Sequence, residues 1–184
     1  MHETDNSFYS QAELSSLGFS SIGMNCLISK KASFYGIKNM RLGDYVRIDD
    51  YCILTGSITL NNYIHISAYS ALYGSYGIFM DDYSGMSPRS TIFSSSDDFT
   101  GGYLVGPMVE ANLTKIIKGK VILNKYVQLG AGSIVLPNVS IGEGSVTGCF
   151  TMVKKNLDDW GIYVGTPARF LKKRGKIDIT FRNR

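Results

Sequence analysis

The sequence predicts an all-β domain folded as a parallel solenoid of short strands. Three observations carry that expectation: a six-residue recurrence of aliphatic residues, a smaller side chain four places after each, and glycines directly behind several aliphatic positions. From Leu42 the step reaches Ile48, Leu54, Leu60, Ile66, Leu72 and Ile78. The slot four places on holds Val46, Cys52, Ile58, Ile64 and Ser70, before Tyr76 and Asp82 break the rule. The step returns from Ile117 through Leu123, Leu129, Val135, Ile141, Thr147 and Val153, with Val121, Val127, Ser133, Val139, Ser145, Thr151 and Leu157 in the small slot. A shorter early stretch runs Ile22, Ile28, Phe34, with Cys26 and Ala32 as its small residues.

A helix would return apolar residues about every 3.6 positions, and a half-buried hairpin would alternate them between turn signals. A period of six fits neither. It fits flat strands meeting at tight corners, each turning one large and one small side chain into a shared interior. Three such strands close a coil of about 18 residues, and each coil buries its faces against its neighbours along the axis. Residues 42–95 are then expected to make three coils and residues 117–152 two more. Gly43, Gly130, Gly142 and Gly148 sit where a Cβ would crowd the corner.

A solenoid needs capped ends. Ser10 followed by Glu13 is a capping-box pattern, so residues 10–17 are expected to form a short helix over the first coil. At the other end Gly165 and Pro167 open TPARFLKKR, expected as a short C-terminal helix closing the last coil. Between residues 96 and 116 the register is absent, and this stretch reads as a loop projecting from the prism. The chain thus divides into an N-terminal cap (1–21), the solenoid with its projecting loop (22–158), and a C-terminal cap with a basic tail (159–184).

Composition sets the outer bounds. The 184 residues suit one domain, with 44% hydrophobic and 18% charged residues, and no apolar run approaches a membrane span. The N-terminal residues show neither a positive region nor an apolar one of the secretory kind, so the expected compartment is cytoplasmic. Cys26, Cys52 and Cys149 cannot all pair within one chain and are not spaced for zinc, so no metal is expected. Cys26 and Cys52 read as packing residues, whereas Cys149 falls at an outward position. The net charge of +4 is modest and concentrated near Arg169, Lys172, Lys173, Arg174 and Lys176, which suggests an anionic ligand and gives little support for nucleic acid.

Beyond the repeat, SPRSTIFSSSDDF (87–99), LGAGSIVLPNVSIGEGSVTGCFTMVKKNL (129–157) and GIYVGTPARFLKK (161–173) give the chain a specific resemblance. It resembles the hexapeptide-repeat acyltransferases, which include galactoside, maltose and xenobiotic acetyltransferases. RIDDYCILTG (47–56), DDFTG (97–101) and DDWGIYVG (158–165) look most like the members that N-acylate nucleotide-linked 4-amino-4,6-dideoxy sugars. The resemblance implies a left-handed parallel β-helix, a homotrimer with sites between subunits, and acetyl-CoA or another short acyl-CoA as co-substrate.

The acceptor is constrained by chemistry. In O-acetylating members the stretch matching SPRSTIFSSSDD ends in a histidine that deprotonates a hydroxyl; here that position is Asp97. A carboxylate with an ordinary pKa of about 3.9 is a poor base for a hydroxyl. An amine carries its own lone pair and needs no strong base to attack a thioester. The substitution therefore favours an amino-sugar acceptor, in line with the resemblance to dTDP-sugar enzymes.

Candidate roles follow. Asp97 or Asp98 is expected to hold the sugar amine by a charge-assisted hydrogen bond, the alternative being an Asx-turn that launches the loop. Asp49, Asp50, Tyr69, Tyr73 and Arg89 are candidates for the nucleotide-sugar, the tyrosines by stacking and Arg89 through the diphosphate. By resemblance, Ala131 and Cys149 match positions whose backbone contacts pantetheine, and Lys155 and Lys172, with Arg169 and Lys173 beside them, match basic positions near the CoA phosphates. Two other readings remain open: an O-acetyltransferase using His65 or a partner chain's group as base, and a noncatalytic solenoid used for assembly. A zinc carbonic anhydrase on this scaffold is excluded, since it needs three histidines and the chain has two, His2 and His65.

Overall fold

The computed structural model describes residues 7–178 and is a parallel β-solenoid of about seven coils. His2 lies outside the described residues. Each coil gives one strand to each of three faces, and like positions stack in register. On the first face Ile22, Leu42, Leu60, Met80, Leu123 and Ile141 form one column. The second carries Ile28, Ile48, Ile66, Met86 and Leu129, continuing into Thr147 and Tyr163. The third carries Phe34, Leu54, Leu72, Ile92, Val135 and Val153. These columns fill the interior; Ile22 and Phe34, in the first coil, are only partly buried.

The six-residue step breaks at Ile78 because the register slips by two residues. Gly56 pairs with Gly74 and Ile58 with Ile78, so the corner after Gly74 holds two more residues than the one before it. The step then resumes one position set later, at Met80, Met86 and Ile92, with Ser84 and Ser90 buried in the small slot. A whole coil is present where the pattern fades. Ile117, by contrast, is exposed: Ile116–Lys118 pairs antiparallel with Ser95–Asp97 and closes the base of the projecting loop, so the second register begins at Leu123.

The N-terminal cap is the helix Gln11–Ser16 with both arms of the capping box made, and its Leu14 is buried against the core. At the other end the expected helix is replaced by a strand. Arg169–Lys173 pairs antiparallel with Gly161–Val164, covering the last open edge of the second face. The physical reason is that five residues cannot offset the cost of nucleating a helix, while the terminal coil offers a row of unpaired backbone groups. Arg174 follows the strand and latches it: its guanidinium donates to the carbonyls of Tyr126 (3.0 Å) and Gly144 (2.8 Å).

The glycines at corners obey close approach. A Cβ at Gly130 would lie 2.6 Å from the carbonyl carbon of Gly148, and one at Gly43 would lie 2.6 Å from the Asn62 side-chain oxygen. Other corners are held by aromatic residues in the left-handed region. Tyr45, Tyr51, Tyr63, Tyr69, Tyr83 and Tyr126 have φ between 57° and 64°. That conformation is unfavourable for a bulky residue and is offset here by stacking along the axis. One corner carries the column Tyr45, Tyr63, Tyr83, Tyr126, Trp160. The next carries Tyr51 and Tyr69, stacked at 5.0 Å, with Arg89, Gly132 and Phe150 following in the same backbone ladder.

Candidate active site

The acidic pair sits at the root of the projecting loop, and its two members have different surroundings. The Asp98 carboxylate is buried: one oxygen accepts from the Thr100 hydroxyl (2.6 Å) and backbone N–H (2.9 Å), and the other pairs with Lys115 (2.9 Å). The Thr100 hydroxyl, then Lys115, then the Thr100 N–H hold its carboxyl well below the usual range. Lys115 also lies over the Tyr103 ring at 5.3 Å. Asp98 is therefore a clasp joining the two arms of the loop, which is the turn-forming alternative. Asp97 is half-buried in the strand Ser95–Asp97, and its carboxylate has no side-chain partner among the described residues. It is the member of the pair available to a ligand.

Asp49, Asp50, Tyr69 and Arg89 gather at the second corner, upstream of the loop. Asp49 accepts from Arg47 and His65, each at 2.7 Å; burial pushes its carboxyl up, but those two hydrogen bonds outweigh burial and leave it below the usual range. Asp50 is lowered by the Ser29 hydroxyl and by Lys31, 3.0 Å away. Tyr69 is exposed, stacked on Tyr51 with the Arg89 guanidinium 5.7 Å from its ring centroid. Tyr73 lies on the third face, stacked on Phe93 at 5.1 Å. Arg89 makes no ion pair among the described residues.

The CoA-side candidates divide between two places. Ala131 and Cys149 lie one coil apart at the second corner, where the Phe150 N–H donates to the Ala131 carbonyl (2.8 Å). Cys149 is exposed, whereas burial pushes the Cys52 thiol up to about 11 and also raises Cys26, which makes both inert packing residues. Lys155 is exposed beside a shallow groove with Lys154, Leu157, Pro167 and Ala168. Arg169, Lys172 and Lys173 are all exposed along the terminal strand, opposite Val164, Ile162 and Gly161 respectively. Lys173 lies at the first-corner end of that strand, in a polar groove with Asp158 and Asp159.

Comparison with known proteins decides what this arrangement belongs to. A dTDP-4-amino-4,6-dideoxy-D-glucose acyltransferase of Escherichia coli is 39% identical over 172 residues, covering 92% of this chain and 90% of that protein. The chain belongs to the hexapeptide-repeat acyltransferase family. Within this family, a serine-to-cysteine mutant of the N-acyltransferase AntD from Bacillus cereus, solved with dTDP-4-amino-4,6-dideoxyglucose and coenzyme A, superposes with a TM-score of 0.92 at 50% identity over 94% of this chain and 92% of that one. A hexapeptide-repeat acetyltransferase from Vibrio cholerae shares the fold, with a TM-score of 0.57 at 17% identity over 93% of this chain and 85% of that one. No protein-family model matches the chain. With these relatives it is an acyl-CoA-dependent N-acyltransferase.

Two parts of the region escaped the sequence reading. Lys115 lies seventeen positions after Asp98 and meets it only because the loop folds back, so no local pattern announces the pair. Ser87, half-buried at the second corner inside SPRS, was legible as part of a motif but carried no chemical signal of its own.

Proposed function

We propose that the enzyme acylates the amine of a dTDP-linked 4-amino-4,6-dideoxy sugar at C4, with acetyl-CoA or another short acyl-CoA as donor. The observation that carries this reading is the unpartnered Asp97 carboxylate at a position where hydroxyl-acylating relatives need a histidine. The neutral amine attacks the thioester carbonyl; the tetrahedral intermediate collapses and expels the CoA thiolate, and the ammonium proton passes to solvent or carboxylate. Asp97 holds the amine in line by a charge-assisted hydrogen bond. Backbone N–H groups at a corner stabilise the oxyanion. AntD supports the assignment indirectly: it has been solved with substitutions at a serine and at an aspartate ten positions further on. Ser87 and Asp97 are the one serine and aspartate of this chain with that order and separation. Asp49, Asp50, Tyr69, Tyr73 and Arg89 remain the candidates for the nucleotide-sugar, and Ala131, Cys149, Lys155, Arg169, Lys172 and Lys173 for CoA. The compartment in this proposal is the cytoplasm. A screen of amino and hydroxy sugar nucleotides with acetyl-CoA, following thiol release, tests the reading; turnover with hydroxy acceptors alone overturns it.

The pH dependence discriminates further. With the amine as its own nucleophile, kcat/KM is expected to rise with pH along the acceptor's titration, and an acceptor amine of lower pKa moves that limb down. A limb that stays fixed for two acceptors of different basicity identifies an enzyme base instead. One observation favours that second reading: His65 is oriented by Asp49 at 2.7 Å, as an imidazole base would be.

The working unit in this proposal is a homotrimer. The loop exposes Phe99, Leu104, Met108 and Ile117, with Met108 96% exposed, and so much apolar surface on one projection calls for a partner. A second copy supplies it and encloses both substrates between chains. Sedimentation at working concentration is expected to give a trimer; an active monomer overturns this.

A further inference from the structure

The terminal strand Arg169–Lys173 carries one residue more than the strand it pairs with. Arg169 faces Val164 and Phe170 faces Tyr163, but Lys172 faces Ile162 and Lys173 faces Gly161, so Leu171 is a bulge. In an unbroken strand, side chains three positions apart point to opposite faces of the sheet. The extra residue reverses that relation. Arg169 and Lys172 come to the side of Val164 and Ile162, while Phe170 packs edge-to-face on the buried Tyr163 ring at 5.7 Å. The two cations then stand two partner residues apart on one face, about 7 Å along the strand. The bulge leaves Leu171 out of the ladder and 57% exposed, a cost with no return in packing.

A bulge in a five-residue edge strand is not fixed by its own ladder. Sliding its last residues by one position would remove the bulge and turn Lys172 to the face opposite Arg169. What opposes the slide lies just past the strand. The Arg174 N–H donates to the Trp160 carbonyl (2.8 Å), and its guanidinium donates to the carbonyls of Gly144 (2.8 Å) and Tyr126 (3.0 Å). Tyr126, Gly144 and Trp160 hold the same place in three successive coils. A slide of one residue moves Arg174 by about 3.3 Å, which breaks all three bonds.

We propose that Arg174 is a positioning residue for the acyl donor: by tying the end of the strand to three coils, it holds the bulge that keeps Arg169 and Lys172 side by side. This rests on the reading of those two cations as ligands of the CoA phosphates, which they meet together only from one face. Arg174 acts through the strand, since its guanidinium is spent on two carbonyls beyond the strand's end.

The test compares steady-state kinetics with acetyl-CoA and with S-acetylpantetheine, which lacks the phosphates. The variants are Arg174→Ala, Arg174→Lys, and the Arg169→Ala, Lys172→Ala double variant with and without Arg174→Ala. In Arg174→Ala the KM for acetyl-CoA is expected to rise about tenfold, while kcat and the KM for S-acetylpantetheine stay within about twofold of the wild type. Arg174→Lys recovers part of that loss, because one ammonium replaces a planar fork of donors. Where both cations are already absent, Arg174→Ala is expected to add nothing. A loss that persists in that background would make Arg174 a direct ligand, and an equal loss with S-acetylpantetheine would make it a plain support of the last coil. Either result overturns the proposal, as does an unchanged KM. If the double variant takes acetyl-CoA like the wild type, the reading of the two cations fails and the proposal falls with it. A double variant that loses affinity beside an Arg174→Ala enzyme that does not refutes the latch alone.

Discussion

Asp97→Ala is expected to lower turnover by about a hundredfold, and Asp97→Asn only several-fold, with CoA affinity unchanged in both. Asparagine keeps an acceptor oxygen and the shape but loses the charge, a difference on the order of 1 kcal/mol between a charged and a neutral hydrogen bond. Alanine removes the acceptor, and the amine loses its fixed approach to the thioester carbon. A true general base would behave otherwise, since neither residue takes a proton, so equal and near-complete losses would reassign Asp97. Asp98 serves as the control on the same hairpin. Its carboxylate is spent on Thr100 and Lys115, so Asp98→Asn should loosen the loop and raise its susceptibility to proteases, and Lys115→Met should do the same. Because the folded Asp98 carboxyl is lowered, its contribution is present above the ordinary carboxylate range and is lost only as pH falls through the lowered value. No change at Asp97 in steady-state assays would remove it from the site.

Gly130→Ala is expected to destabilise the fold by about 1–3 kcal/mol or more, the range of overpacking in a core that cannot yield. The new Cβ would lie 2.6 Å from both the Gly148 carbonyl carbon and the Thr147 carbonyl oxygen, which are backbone atoms of the next coil. The strain cannot be relieved by a rotamer change, because two coils would have to part. At roughly 2–4 °C per kcal/mol for a chain of this size, the thermal midpoint should fall by about 2–12 °C. Gly175→Ala, where a Cβ meets nothing within 4 Å, is the matched substitution and should leave the midpoint unchanged. A Gly130→Ala protein that melts with the wild type would mean that the coil spacing tolerates a methyl, and the close-approach account of these glycines would fail.

Most of the solenoid was legible because its rule is local. A column such as Ile48, Ile66 and Met86 forms because each residue occupies the same place in its own coil, so spacing along the chain translates directly into stacking in space. The same holds for the buried serines, which keep the small slot that Val46 and Cys52 occupy above them. Where the local rule is interrupted the pattern misleads: two extra residues after Gly74 hide the coil through Met80, Met86 and Ile92, and Ile117 falls in step with the core although it belongs to a hairpin.

The sequence by itself determined the scaffold, the capping helix, the position of the loop and the absence of a histidine where a hydroxyl acylase needs one. Only the tertiary structure decided the partners. Asp97 and Asp98 are adjacent and chemically identical in the sequence, and they differ because Lys115 returns across the hairpin to one and not to the other. TPARFLKKR has enough helix formers to suggest a helix, yet the unpaired edge of the last coil draws it into a strand. That Tyr69 stacks on Tyr51 and lies 5.7 Å from the Arg89 guanidinium is likewise seen only in the folded chain. For the loop clasp and the terminal strand the deciding contact joins residues whose separation follows no period, and its energy depends on which groups a folded neighbour leaves unsatisfied.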